Sequence, residues 1–450
     1  MPVINKTEKR FSPSQTLVIG FFLIIVVGSL LLCLPISSKS GSFTPFFDCL
    51  FTATSATCVT GLVIYDTFAH WNIFGQIVIA LLIQVGGIGF VTIITFFNIA
   101  AGKKLGFHTL ANAADGLTES TFQGGYKIFF RIIKYTIIFE LCGALLLSLV
   151  FVPRYGAYGI WVSLFMSITA FCNAGFDLMG QDEAFSSLVH LNDEPLVLIT
   201  IALLIMIGGL GFIVWENFLE LRNSRKLSFH TKTVLVMTSV LVIGGTVFYL
   251  ISEWSNPATL GGMGLGDKIL NSFFSSVTAR TAGYNSIPID GMTDFSQLGT
   301  IFLMFIGAAP ASTGGGIKVT TLLVLVMAVV SYIKNKSDVE IFRHKIGKAV
   351  VYRTLVITML SMLAAGTCFV VLYCFSPSDA VACLFEAVSA FSTTGLSAGV
   401  TAETGYIGRA ILIITMFIGR VGPISLIMSL VTRSANQKNV IVPDGQIFIG

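Results

Sequence analysis

Apolar residues run along this chain in blocks, and the blocks recur in a fixed order of long, short and long. The long blocks predict helices over roughly 14–36, 70–98, 127–152, 193–221, 228–252, 295–334, 347–375 and 403–432. A run of about 20 apolar residues crosses the ~30 Å of hydrocarbon in a bilayer. The short blocks, over roughly 44–57, 158–171, 266–279 and 378–391, cannot cross and are expected to enter and turn back. The expectation is an all-α integral membrane protein. It has four pseudo-symmetric M1–P–M2 repeats (helix, re-entrant pore helix, helix), with eight transmembrane helices and four re-entrant helices around one central pore. An even number of crossings places both termini on one side. The repeats divide the chain at 1–104, 105–226, 227–340 and 341–450.

The short blocks align on one another without a gap. LFTATSATCVTG ends at Gly61, LFMSITAFCNAG at Gly175, SFFSSVTARTAG at Gly283 and LFEAVSAFSTTG at Gly395. Each carries a phenylalanine at the same position, Phe51, Phe165, Phe273 or Phe385, and a bulky residue after the glycine, Leu62, Phe176, Tyr284 or Leu396. Repetition within a chain outranks any single motif. A half-helix aimed at the membrane centre puts the negative end of its dipole there, which favours a dehydrated cation. The returning backbone can replace the ion's water with its carbonyls, where protein buries it or it lines a wet path. Glycine supplies the positive φ or close approach that such a turn needs. The candidate selectivity filter is therefore Val59-Thr60-Gly61, Asn173-Ala174-Gly175, Thr281-Ala282-Gly283 and Thr393-Thr394-Gly395, holding a potassium ion at the four glycines. The third string, continuing into Tyr284, lies nearest the T-V-G-Y-G of tetrameric potassium channels.

Composition agrees with a bilayer as solvent. Hydrophobic residues make up 54% and charged residues 11% of the chain, with a mean hydropathy of +0.86, where soluble domains carry about 25% charge. Most of the 27 lysines and arginines fall in the N-terminal segment (Lys6, Lys9, Arg10), in the loops between repeats and in the tail (Arg433, Lys438). That face is read as cytoplasmic. The opposite face holds acids, among them Asp66, Asp177, Asp290 and Glu403, which raise the local cation concentration. No long soluble stretch is present, so any nucleotide-sensing domain is expected on a separate chain. The chain itself is expected to bind no organic cofactor and no nucleic acid. The eight cysteines lack metal-ligand spacing and read as small buried hydrophobes.

The second long blocks repeat as well. Val85-Gly86-Gly87-Ile88-Gly89, Ile207-Gly208-Gly209-Leu210-Gly211, Ile306-Gly307-Ala308-Ala309-Pro310 and Ile418-Gly419-Arg420-Val421-Gly422 align on their first glycine. Small residues let helices pack closely. The third copy, running on through Ala311-Ser312-Thr313-Gly314-Gly315-Gly316-Ile317-Lys318, cannot be continuous helix. It is expected to be a mid-membrane loop crossing beneath the filter as a gate, with Lys318 at its end. Arg420 stands in register with Gly87, Gly209 and Ala308, and is expected to face the pore and hold the gate through its carbonyls. Arg280 replaces the Cys58, Cys172 and Ser392 of the other strings. A buried arginine requires a partner, and Glu386 on the fourth re-entrant helix is the candidate behind the filter.

Four repeats with one glycine per filter string, a broken third M2 and an arginine in the fourth M2 resemble the Trk/Ktr/HKT superfamily of cation transporters. Within it the length and short N-terminal segment are most similar to the membrane subunits of bacterial Ktr potassium uptake systems. The resemblance covers essentially the whole chain. It implies a homodimer with one pore per subunit in the bacterial cell membrane, and potassium uptake that is often sodium-dependent. It also implies a cytosolic nucleotide-binding ring of RCK-domain subunits, of the KtrA or KtrC type, docked on the basic inner loops. Serine at the first filter glycine goes with sodium selectivity in plant relatives, so Gly61 favours potassium. Three alternatives remain: a sodium-preferring member, a voltage-gated four-repeat channel, and a membrane-embedded enzyme. No helix carries the arginine series of a voltage sensor. An enzyme would need paired intramembrane acids or histidines, whereas Glu140 stands alone.

Overall fold

The computed structural model describes residues 13–100, 125–224 and 226–430. Lys6, Lys9, Arg10, Arg433 and Lys438, used above to orient the chain, lie outside the described residues. Among the described residues the fold is almost entirely helical, with one small hairpin in which Val339–Ile341 pairs antiparallel with His344–Ile346.

Four straight helices open the four units: Pro13–Cys33, Gly125–Tyr155, Phe229–Ser252 and Lys348–Phe375. Among the described residues these four are long and apolar enough to cross a membrane. Much of their surface is exposed apolar side chain, such as Phe22, Leu145, Ile243 and Leu363, as a lipid-facing helix requires. The first ends just before Pro35, whose ring disfavours helix in the residue ahead of it.

The short helices are Phe46–Cys58, Tyr158–Phe171, Leu265–Thr278 and Ala380–Ser392. Acids mark the start of three of them. Asp48 and Asp267 lie in first turns, and Asp379 caps the fourth by accepting from the Ala382 N–H, all favourable to the helix dipole. These helices are buried deep in the molecule. Phe51, Phe165 and Phe385 are fully buried. In the third unit Phe274 takes the interior place, and its neighbour Phe273 is only partly buried.

The second long blocks differ from the expectation of three continuous helices and one broken one. All four break. Pro195–Leu210 meets Phe212–Ser224 at 91°, and Tyr406–Val421 meets Pro423–Leu430 at 93°. Ile73–Ala100 kinks at Gly89 (φ +67°). In the third unit Asp294–Phe305 and Val319–Ile333 are separate helices. The breaks fall at Gly89, Gly211, Pro310 and Gly422, one position in the aligned strings. Gly211 and Gly422 have φ of +89° and +87°, conformations that favour glycine.

The first and last units close on each other through an ion pair. Arg409 in the fourth bent helix reaches Asp48 at 2.9 Å, with side chains 19% and 6% exposed. Asp48 also accepts the Tyr65 hydroxyl at 2.7 Å, and Arg409 Nε donates to the Thr404 carbonyl. Removing one member leaves a buried charge unpaired. Arg409→Ala should lower stability by about 3 kcal/mol, read as a lower thermal midpoint of the purified protein. Arg409→Lys should recover part of the loss, and an unchanged midpoint in Arg409→Ala would show that the pair is solvated.

Candidate functional site

The four glycine turns come together in a ring. A Cβ placed on Gly61 would lie under 3.0 Å from the Ala174 carbonyl oxygen, one on Gly175 from that of Ala282, one on Gly283 from that of Thr394, and one on Gly395 from that of Thr60. The contacts run around one circuit of the four units and return to the start. Each involves the carbonyl just before the next glycine. No side chain fits at any of the four positions, and all four glycines have positive φ, between +69° and +94°. Two residues before each glycine the backbone is left-handed again, at Val59, Asn173, Thr281 and Thr393. A non-glycine residue held there costs on the order of 1–3 kcal/mol. Four such residues in register show one backbone path adopted four times. The turns are braced from the side: Ser55 Oγ accepts the Gly61 N–H and Ser389 Oγ the Gly395 N–H, both at 3.1 Å.

The bent helices reach the ring through their first glycine. A Cβ on Gly86, Gly208 or Gly419 would overlap the carbonyl oxygen of Thr57, Phe171 or Phe391, at the ends of the short helices. In the third unit Gly307 faces the Gly315 carbonyl of its own loop instead. That loop, 306–318, lies directly against the turns. Gly314 packs on Thr281, and Gly315 packs on Thr393. Its ends are tied by the Gly307 N–H donating to the Ile317 carbonyl at 2.7 Å. The second unit holds its middle: the Ala309 N–H donates to the Gly209 carbonyl at 3.0 Å, and the Phe212 N–H donates to the Ala311 carbonyl at 2.9 Å.

Two cations grip this loop. Arg420 donates to the Thr313 carbonyl and, through its other terminal nitrogen, to the Gly86 and Gly87 carbonyls of the first unit. Lys318 turns back to donate to the Gly314 carbonyl at 2.7 Å. Ala311 has φ +55°, and the Ser312 hydroxyl donates to the Ala309 carbonyl. Ala311, Ser312, Thr313, Gly314, Gly315, Gly316, Lys318 and Arg420 therefore form one connected structure beneath the ring.

Above the ring a cavity of about 690 Å³ opens, bordered by all four glycines and by Asp66, Asp177, Glu183, Asp290 and Glu403. Asp66 joins two units there: it caps Thr67–His70 through the Ala69 N–H and accepts the Phe185 N–H at 3.0 Å. Burial, reinforced by the nearby Asp66, pushes the Asp177 carboxyl up to about 7, against the pull of the Met179 N–H and the Ser187 hydroxyl.

A ring of backbone carbonyls fed by an acidic vestibule suits a dehydrated cation, and comparison with known proteins agrees. Residues 5–440 match the family described as TrkH, cation transport protein. The chain belongs to the TrkH cation transport family. It is 38% identical to the potassium/sodium uptake protein NtpJ of Enterococcus hirae, covering 99% of each chain. It is also 38% identical to Ktr system potassium uptake protein B of Bacillus subtilis, over 98% of this chain and 97% of that one. The potassium transporter TrkH of Vibrio parahaemolyticus has the same fold, with a TM-score of 0.73 at 16% identity, covering 95% of this chain and 86% of that one. As a TrkH-family chain with several apolar helices, it is a multi-pass membrane protein.

One expected pairing does not form in this family member. Glu386 is fully buried and bonds within its own unit, accepting the Ser397 and Thr401 hydroxyls and the Ala398 and Thr401 N–H groups. Its lone pairs are satisfied by the segment that follows Gly395, so Arg280 is left without it. Arg280 is 6% exposed, and its Nε has no hydrogen-bond partner. The tie from Lys318 back to Gly314 was not foreseen, because nothing in the sequence shows which way a lysine at a loop's end turns. The shared bend was readable: glycine or proline stands at that position in all four strings.

Asp177 gives a pH signature. As pH falls from about 8 to about 6, a carboxyl with its pKa near 7 takes up a proton. The vestibule then loses one negative charge, and cation uptake at sub-saturating concentration should fall. Asp177→Asn should be slow at both pH values and flat between them. A variant that keeps the wild-type slope would assign the effect to another group.

Proposed function

We propose that this chain takes up potassium across the bacterial cell membrane through four M1–P–M2 repeats around one pore. The filter is Val59-Thr60-Gly61, Asn173-Ala174-Gly175, Thr281-Ala282-Gly283 and Thr393-Thr394-Gly395, and the ion is cargo passing along their carbonyls. The closed circuit of glycine–carbonyl contacts carries this reading, because it gathers backbone from all four turns at positions where no side chain fits. Potassium as the ion is supported by the names of the relatives, potassium uptake protein and potassium/sodium uptake protein. The second name also supports sodium dependence.

Loop 311–316 is the gate. It packs against the filter strands while Arg420 bridges it to the first unit, so opening requires those bonds to break. A guanidinium at that depth also opposes a cation passing it. The chain is a transporter, not an enzyme. It works as a homodimer with both termini cytoplasmic, under a cytosolic RCK-domain ring that binds the nucleotide. The ring and the dimer rest on the resemblance and on the basic inner loops.

Rubidium or potassium uptake in a potassium-uptake-deficient bacterium, with an RCK-domain partner co-expressed, tests both parts. Gly61→Ser should lose uptake or lose preference over sodium by roughly tenfold or more, since any Cβ there meets the Ala174 carbonyl. Deletion within Ala311–Gly316 should raise flux and free it from the partner. Unchanged preference in the first variant would place the filter elsewhere, and unchanged control in the second would remove the gate from this loop.

A further inference from the structure

The straight helix Gly125–Tyr155 carries an acid that the pathway above does not use. Glu140 is 5% exposed, and its Oε1 has no hydrogen-bond partner. None of the ion pairs between described residues includes it. Its backbone carbonyl accepts the Ser167 hydroxyl at 2.6 Å, which seats this part of the helix on the second short helix. The side chain of Gln84, from the bent helix of the first unit, lies against the Glu140 carboxyl. Gln84 Oε1 accepts the Cys172 thiol at 3.7 Å, so its amide N–H groups are the part left for Glu140. Cys172 immediately precedes the filter residue Asn173. Behind it the first unit comes so close that a Cβ on Gly87 would lie 2.6 Å from the Cys172 sulfur. The equivalent residue of the fourth string, Ser392, bonds within its own unit, to Val388 and Thr394.

An ionised carboxylate buried in a membrane without a cation is costly, and such residues are retained where they serve a pathway. A neutral acid avoids most of that cost while still accepting from an amide. We propose that Glu140 is held as an uncharged carboxylic acid that positions the second filter strand through Gln84 and Cys172, and so sets preference among monovalent cations. The second half of this proposal rests on the filter reading; the protonation state does not. Glu140 is a positioning residue, acting on the ion through the strand.

The first test is an infrared difference spectrum between wild type and Glu140→Gln in reconstituted membranes at neutral pH. A protonated-carboxyl C=O band present in wild type and absent in the variant is the expected result. A difference confined to carboxylate bands would overturn the proposal. The second is competition uptake of potassium against sodium. Glu140→Gln should keep the wild-type preference, whereas Glu140→Ala and Gln84→Leu should lower it roughly tenfold, the effect of one lost buried hydrogen bond. Should Glu140→Ala misfold, Gln84→Leu retains the test. If Gly61→Ser shifts preference and neither of these variants does, the positioning role fails while the filter stands. If Gly61→Ser also leaves preference unchanged, it is the filter reading that fails.

Discussion

Backbone that is not helical has no water to bond inside the hydrocarbon of a bilayer, and the glycine turns and the loop 306–318 answer that constraint. The four glycine turns are surrounded by one another and by the short helices. The loop 306–318 bonds to Gly208 and Gly209 on one side and to Arg420 on another. Its Gly314 and Gly315 carbonyls are served by Lys318. Breaking the third bent helix thus exposes peptide groups that the second and fourth units must satisfy. The loop is held together by that exchange.

Glycine at two registers makes the arrangement possible. At the turns it permits positive φ and leaves room for a neighbour's carbonyl. In the bent helices it lets one backbone touch the end of a short helix at Thr57, Phe171 or Phe391. The pseudo-symmetry is therefore one of backbone contacts, and side chains are free to differ around it. They do so at Arg420, which occupies the place of Gly87 and Gly209 with a charge, and at Arg280, which replaces a small residue. Departures from symmetry are concentrated in the third and fourth units, where the loop and its arginine meet.

Charge is segregated along the same axis. Acids line the outer cavity down to the glycines, and fixed cations lie just beneath them. Asp177 pairs burial with proximity to Asp66, so the outer field depends on pH near neutrality.

Much of this was legible in the chain. Four aligned strings located the short helices to within a residue or two, and the four glycines and the loop were named from spacing and composition alone. Local chemistry sufficed there, because glycine and proline restrict backbone at their own positions. Charged partners were not legible. Glu386 looked available to Arg280, and the structure turned it to Ser397 and Thr401; Arg409 showed no sign of Asp48, 361 residues away. The sequence by itself determined that the third copy must break and that no side chain can stand at the four glycines. Only the tertiary structure decided which carbonyl each long side chain reaches, because a flexible arginine or lysine finds its partner by what packing brings near, and packing joins units far apart in the chain.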